Sequence, residues 1–462
     1  MAVGTVSTHI LTDIANAIRF QRGDGALFKP REMAAAVAAL DGSYAGNYQP
    51  QGYMELESGV LPESVFADIA AAIRGQNGES TLYAPGDMAA AILALEWDVG
   101  FKIRALLLDD GTLEINYYER RTSVTGGRIV QVFEVDPAGY SSATARPWDA
   151  VKLLVKRVFI DSTIGGLGLV NCAYWFNAFT ECTEVRGFEN LSGMKTATQM
   201  FANCARLETV WATSFVGAIT SGSGMFYGCG RLVGGADGFV PASTSGASVC
   251  KLGAGGVLTD PNSDSRTWFW AHYYADGEGV LTAAGAPESG RALVASGRIC
   301  ANARYAGLGF APWDGATGPT HREHLVRASF AADMAVFSHL NLNYLFYSCA
   351  NLAEVAGLGN LSGVRSMRYA FSSCAVAELD FRGFDPSHLT DLFYCFSGSA
   401  SLARILADAD WALPASGLTG AQCFYNCKAL VGGAGTAYEN SRTAYTYFRI
   451  DRAGQPGYLT AV

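Results

Sequence analysis

"MFANCARL" at 200–207 returns with little change as "MFYGCGRL" at 225–232, "LFYSCANL" at 345–352 and "CFYNCKAL" at 423–430. Each phrase sets a cysteine three residues after a phenylalanine and a leucine three after that. The pattern Phe-x-x-Cys-x-x-Leu, with modest variation, starts at 179, 201 and 226 and again at 346, 371, 396 and 424. Within each group the steps run from 22 to 28 residues, the length of one coil in a stacked repeat protein. Between phrases apolar residues fall at every third position, as in Phe179, Cys182, Val185, Phe188, Leu191 and Met194. A helical period of 3.6 would drift off its face over so many steps, and a flat strand needs a period of two. Gly187 and Gly193, like Gly357 and Gly363, also weaken any helix. The pattern predicts short strands and turns wound into coils.

The cysteine then reads as a small, buried packing position. Ser399 stands in its place in "FSGSASL", a loss of ligand that a metal site would not tolerate. The expected structural ladder is Phe179, Cys182, Phe201, Cys204, Phe226, Cys229, Phe346, Cys349, Phe371, Cys374, Phe424 and Cys427. No metal ligand and no cofactor is assigned. Eleven cysteines, an odd number in a long chain with no basic segment leading into an apolar one, make a poor disulfide framework.

Two further repeats organise the chain. "DIANAIRFQRGDGALFKPREMAAAVAAL" at 13–40 matches "DIAAAIRGQNGESTLYAPGDMAAAILAL" at 68–95 without a gap. Each unit reads as helix, glycine turn, helix. Ile14 and Ile18, and Ile69 and Ile73, sit one turn apart on one face. Gly23 and Gly78 fit the turns, and Pro30 and Pro85 fit helix starts, followed by Glu32 or Asp87. The larger duplication begins at "RALLLDDGTLEI" (104–115), a strand, a DG turn and a strand, and more loosely at "RALVASGRI" (291–299). Pro-Trp-Asp comes next in each copy, at 147–149 and 312–314, then the Phe-Cys phrases, then Val-Gly-Gly-Ala and Ser-Arg-Thr. The expected domains are 1–45, a first helical repeat; 46–100, linker and second helical repeat; 101–286, first module; and 287–462, second module. The fold class is mostly β with short helices: two tandem leucine-rich-repeat-like solenoid modules after a small α-helical repeat region.

A net charge of −9 and the lack of any basic run argue against nucleic acid, whose phosphates need clustered Lys and Arg. No stretch of eighteen apolar residues suggests membrane insertion. His321 and His324 form H-x-x-H without an obvious third ligand, and Cys423 and Cys427 form a lone C-x-x-x-C. "DPNSDS" at 260–265 begins like a calcium loop but has Ala271 where the closing glutamate belongs. "NLSG" at 190 and 360 recurs at equivalent places and reads as a structural turn. "GGLG" at 165–168 and "GAGG" at 253–256 lack the strand–turn–helix setting of phosphate loops. No catalytic triad or carboxylate pair is recognisable, so no catalytic residue is assigned. "RTWFWAHYYADG" at 266–277 and "RTAYTYFRIDRAG" at 442–454 concentrate aromatic residues near the end of each module. Trp268, Trp270, Tyr273, Tyr274, Tyr445 and Tyr447 are the candidate binding residues, because exposed Trp and Tyr suit sugar faces and protein hot spots. The competing reading is a strand that caps the module.

The Phe-Cys phrases, with "NLSG" between them and a Gly-Gly turn and Ser-Arg-Thr after them, resemble the BspA-like leucine-rich-repeat surface proteins of bacteria over 101–462. The first module departs by lacking one coil, and "CAVAEL" at 374–379 breaks the phrase. The "DIANAIR…PREMAAAVAAL" units, over 12–95, are similar to short repeats in tail and minor structural proteins of phages of gut bacteria. Together these resemblances imply a phage tail-fibre or tail-tip protein, located in the virion tail after synthesis in the host cytoplasm. Its implied partners are a bacterial cell-surface receptor, glycan or protein, and other tail proteins, with a homotrimer as the assembly expected by analogy. The alternatives are a bacterial surface adhesin, located on the cell surface, or a tail-borne glycan hydrolase.

Overall fold

The computed structural model describes residues 3–4, 14–18, 30–38, 61–77, 83–84, 87–93, 102–118, 123–215, 217, 219–242, 246–314 and 321–462. The chain is mostly β with a few short helices, and it divides into two compact units. One unit holds 1–200 with 216–222, and the other holds 201–215 with 223–462.

In the first unit, 14–18 is helical and is succeeded by the helices Pro30–Ala38, Glu63–Asn77 and Met88–Leu93. Pro30 opens its helix and Glu32 lies in the first turn, as the sequence predicts. Gly23, Gly78 and Pro85 lie outside the described residues. Ile14, Ile18, Met33, Val37, Ile69, Ile73 and Ile92 are fully buried together. The same cluster takes in Leu106, Leu108 and Val132, so the helical repeats cover one face of the neighbouring sheet. That sheet has seven strands and begins in the order Ile129–Glu134, Lys102–Leu108, Thr112–Tyr118, Arg157–Ile160, Glu184–Arg186. Its first three strands are antiparallel, with a turn at Gly111 of φ +84°, and the rest add in parallel.

The second unit repeats this topology: Leu293–Cys300, Trp268–Tyr274, Glu278–Thr282, Arg327–Phe330, Glu354–Ala356. The turn again carries Asp-Gly, with Gly277 at φ +80°. In both units that glycine's carbonyl accepts from the start of the next parallel strand, Lys156 and Arg157 in one and Val326 and Arg327 in the other. This pairing corrects the sequence reading in one respect. "RTWFWAHYYADG" is the opening hairpin of the second module and not the closing strand of the first. "RALVASGRI" matches Ile129–Glu134, not 104–115.

Successive phrases stack in parallel at a fixed step. Asn171, Thr196 and Ser221 form one line of bridges in the first unit, and Ser366, Asp391 and Thr419 form another in the second. Phe346, Phe371 and Phe396 each donate their backbone N–H to the residue before the next phenylalanine, namely Ala370, Cys395 and Cys423. Their rings succeed one another at 5.7, 5.8 and 5.3 Å, ending on Phe424, and Phe201 stacks on Phe226 at 5.5 Å. Two residues per phrase adopt left-handed backbone, four apart: 344 and 348, 369 and 373, 394 and 398, 422 and 426.

The first phrase is out of the register read from sequence. Tyr174 and Ala178 take the left-handed positions, and Phe176 donates to Met200. Phe176 is therefore the ring position, Phe179 occupies the cysteine slot, and Cys182 the leucine slot. "FNAF" offers two phenylalanines three apart, and a period-three pattern fits either. Cys182 accordingly donates to the Glu184 carbonyl at 3.4 Å instead of joining the ladder.

The cysteine slot has a chemical job beyond packing. Cys374 Sγ donates to the carbonyl of Phe346 at 3.1 Å, one coil earlier. Cys229 donates likewise to Phe201, and Cys427 to Phe396, both at 3.0 Å. Ser399 Oγ makes the same bond to Phe371 at 2.6 Å. Where an earlier phrase supplies that carbonyl, the slot takes a small side chain with one donor, which both Cys and Ser provide. All eleven cysteines are free and buried, and burial pushes the Cys427 thiol up to about 12. A thiol so placed is inert.

Candidate ligand-binding surface

Each coil stack begins at Pro-Trp-Asp. The Trp148 indole donates to the Trp175 carbonyl at 2.9 Å, and Trp313 donates to Leu345 at 3.0 Å. Both acceptors immediately precede the first ring of their stack. Beside each tryptophan an aspartate pairs with a buried arginine, Asp149 with Arg146 and Asp314 with Arg322. Arg146 donates to the Asn177 carbonyl, and Arg322 to the equivalent Tyr347 carbonyl. The two arginines come from opposite sides of the motif in sequence, yet meet the same backbone groups. Asp314 also accepts from the amides of Gly309, Phe310 and Ala311. Burial holds its carboxyl above the usual range, against the opposing pull of Arg322 and the Gly309 and Ala311 amides. Pro-Trp-Asp is a capping device and is not available to a ligand.

Other sequence candidates resolve in the same way. Asn190 and Asn360 of "NLSG" donate to the carbonyls of Ile160 and Phe330 at 2.9 and 2.8 Å. A side chain at Gly187 or Gly357 would collide with those same carbonyls. In "DPNSDS", Asp264 holds Arg266 through two bonds of 2.8 and 2.9 Å, and Asp260 accepts from Asn262. His321 stacks on Tyr273 at 5.1 Å. A cavity of about 560 Å³ is lined by Phe226, Val240, Pro241, Tyr305, Leu308 and Asp314 among others, and its one acid is already paired.

The six proposed binding aromatics do not share one fate. Trp268 is half-buried, with Arg266 and Arg298 at 5.4 and 4.4 Å from its ring. Trp270 is half-buried against His272. Tyr445 and Tyr447 are half-buried in a 3-10 turn and pack on the core. Tyr273 and Tyr274 are buried, at 4% and 1% exposure, which corrects their assignment. The Tyr274 hydroxyl accepts from the Glu288 amide, and Arg291 lies 4.0 Å over its ring. The reason is the hairpin: its two faces are covered by the core and by its own connecting loop, so alternation sends no ring outward at these two positions.

The structure instead brings together an aromatic surface that the sequence reading passed over. Tyr344, Tyr369 and Tyr394 occupy the first left-handed position of three consecutive coils, at φ +59°, +53° and +54°. Their rings stack at 4.9 and 5.0 Å, nearly parallel. Tyr347 lies edge-on to Tyr344 and Tyr369 at 5.7 and 5.6 Å. Phe393 lies edge-on to Tyr369 and Tyr394, with the Arg368 guanidinium 4.4 Å above it. All are half-buried, like Trp268 and Trp270. Arg368 is held by Asp391 at 2.8 Å. Burial and the neighbouring phenols raise the Tyr344 and Tyr369 hydroxyls above their ordinary value.

A non-glycine residue in left-handed backbone costs about 1–2 kcal/mol, and each stacked pair returns about 0.5–1.5 kcal/mol. Three such residues cost about 3–6 kcal/mol and their two stacked pairs return about 1–3 kcal/mol, so the row is a net cost. Tyr174, at φ +63°, Gly224, at φ +61°, and Gln199 and Gln422 fill the same position in other coils. Packing alone therefore gives no reason for three tyrosines in a row. The signal was present in sequence as "YLFYSC", "YAFSSC" and "YCFSGS", with tyrosine two residues before each phenylalanine.

No family model matches the sequence, and no curated protein matches it. Among solved structures the chain is similar to a leucine-rich repeat protein from Eubacterium ventriosum, at 12% identity and a TM-score of 0.18. The alignment covers 74% of this chain and 90% of that one. A likeness at that TM-score carries no weight for fold or function. Among the described residues, no helix is long and apolar enough to cross a membrane, and no cluster of three metal-ligating side chains occurs.

Proposed function

We propose that this chain is a non-catalytic receptor-binding protein of a phage tail, in which two leucine-rich-repeat-like solenoid modules meet the bacterial surface. The observation that carries the binding half is the partly exposed aromatic surface formed by identical positions of three consecutive coils. Rigid repeats hold such a surface in place at little entropic cost on binding. The tail half rests on the N-terminal helical repeats, whose likeness is to phage structural proteins. They serve attachment or assembly, and the modules point at the host. Several copies per virion, as a homotrimer or higher array, turn weak contacts into avidity.

The bacterial adhesin is the second reading, because the coil phrases resemble surface proteins. Fluorescently labelled full-length chain is expected to bind whole cells of a narrow range of gut bacterial strains and to leave the others unlabelled. Uniform labelling, or none, across a broad panel would contradict the receptor reading.

A further inference from the structure

We infer that the tyrosine row of the second module is a glycan-binding strip, taking an extended polysaccharide of repeating pyranose units along the stacking direction of the coils. This rests on the receptor-binding reading and names its ligand.

Repetition is the first reason. Tyr344, Tyr369 and Tyr394 are the same position of three coils, displaced by 4.9 and 5.0 Å from ring to ring. A surface that repeats by translation is matched by a ligand that repeats by translation. A globular protein without internal repeats has no such period, whereas a polymer of like units does. The step is close to the advance per residue of an extended β-linked glycan.

The chemistry agrees. Each ring's face is taken by the next ring in the row, so the row presents ring edges and a line of phenol hydroxyls, which suits the hydroxyl rims of a sugar chain. Among the described residues, the hydroxyls of these three tyrosines and of Tyr347 have no hydrogen-bond partner in the protein. The four residues are partly exposed. Nucleic acid, the other common stacking polymer, fits poorly: the cation in the row, Arg368, is neutralised by Asp391, and the chain carries a net charge of −9. The row ends at Gln422, so the strip spans three coils and fits a run of a few sugar residues.

The fold supplies a clean test. Gly224 adopts φ +61° at the equivalent position, so Tyr369→Gly and Tyr394→Gly place a residue that the backbone already accepts. Circular dichroism and thermal melting check that each variant stays folded. Binding of the full chain is measured on a strain that the wild type labels, on cells left untreated, oxidised with periodate to cleave sugar diols, or shaved with protease. The expected result is loss of binding after periodate, retention after protease, and a drop of at least tenfold for each glycine variant. Tyr227→Ala, an exposed tyrosine outside the row, is expected to bind as the wild type does. Wild-type binding by both folded glycine variants overturns the strip and leaves the receptor reading standing. Sensitivity to protease and not to periodate overturns the glycan. Failure of the wild type to label any strain overturns the receptor reading and the strip together.

Discussion

Phe371→Ala is expected to destabilise the second unit by about 3–5 kcal/mol, the range for deleting a buried phenylalanine. Phe371 is fully buried in the middle of the ring ladder, 5.7 Å from Phe346 and 5.8 Å from Phe396. Its removal opens a cavity that rigid coils on both sides cannot close, and it breaks two ring contacts at once. Cys374→Ser, three residues on, is the contrast. Ser399 already fills that slot in the next coil and bonds the preceding phenylalanine carbonyl, so the serine should change stability by no more than about 1 kcal/mol. Urea unfolding of the two variants against wild type reads both effects. Equal costs would mean that the slot does not work as a donor to the previous coil.

The second large effect lies at the cap. Asp314→Ala should cost about 3–5 kcal/mol, because it leaves Arg322 buried without its counter-ion. It also frees three loop amides that Asp314 now accepts from. Replacing both partners, Asp314→Ala with Arg322→Met, should recover part of the loss, since an apolar pair carries no orphaned charge. Asp149→Ala in the first unit should cost less. Its partner Arg146 keeps the carbonyls of Tyr174, Trp175 and Asn177, and Asp149 itself is more exposed than Asp314. Urea midpoints of these variants give the order. A double variant as unstable as Asp314→Ala alone would remove the ion pair from the account.

The repeat spacing and the burial of most Phe and Cys positions were legible in sequence because a buried row repeats the same residue at the same step. The Ile14/Ile18 and Ile69/Ile73 pairs were legible for the same reason, one face of a helix being apolar at fixed spacing. Three features were not. Phe176 and Phe179 are three apart, so a period-three pattern could not choose between them, and only the left-handed residues Tyr174 and Ala178 fix the register. The hairpin at Trp268–Thr282 lies against the first module's last motifs in sequence, yet its second strand pairs in parallel with Arg327–Phe330 of the second module. The tyrosine row was hidden because local propensity disfavours a tyrosine at positive φ. The coil imposes that backbone, and neighbouring coils then bring residues 25 apart into contact.

Immunogold electron microscopy of a lysate of the producing culture, with an antibody raised against the full chain, locates the protein directly. Gold at the distal end of phage tails is the result this account predicts. Gold on cell envelopes, with the tails bare, would contradict it and return the protein to the bacterial surface.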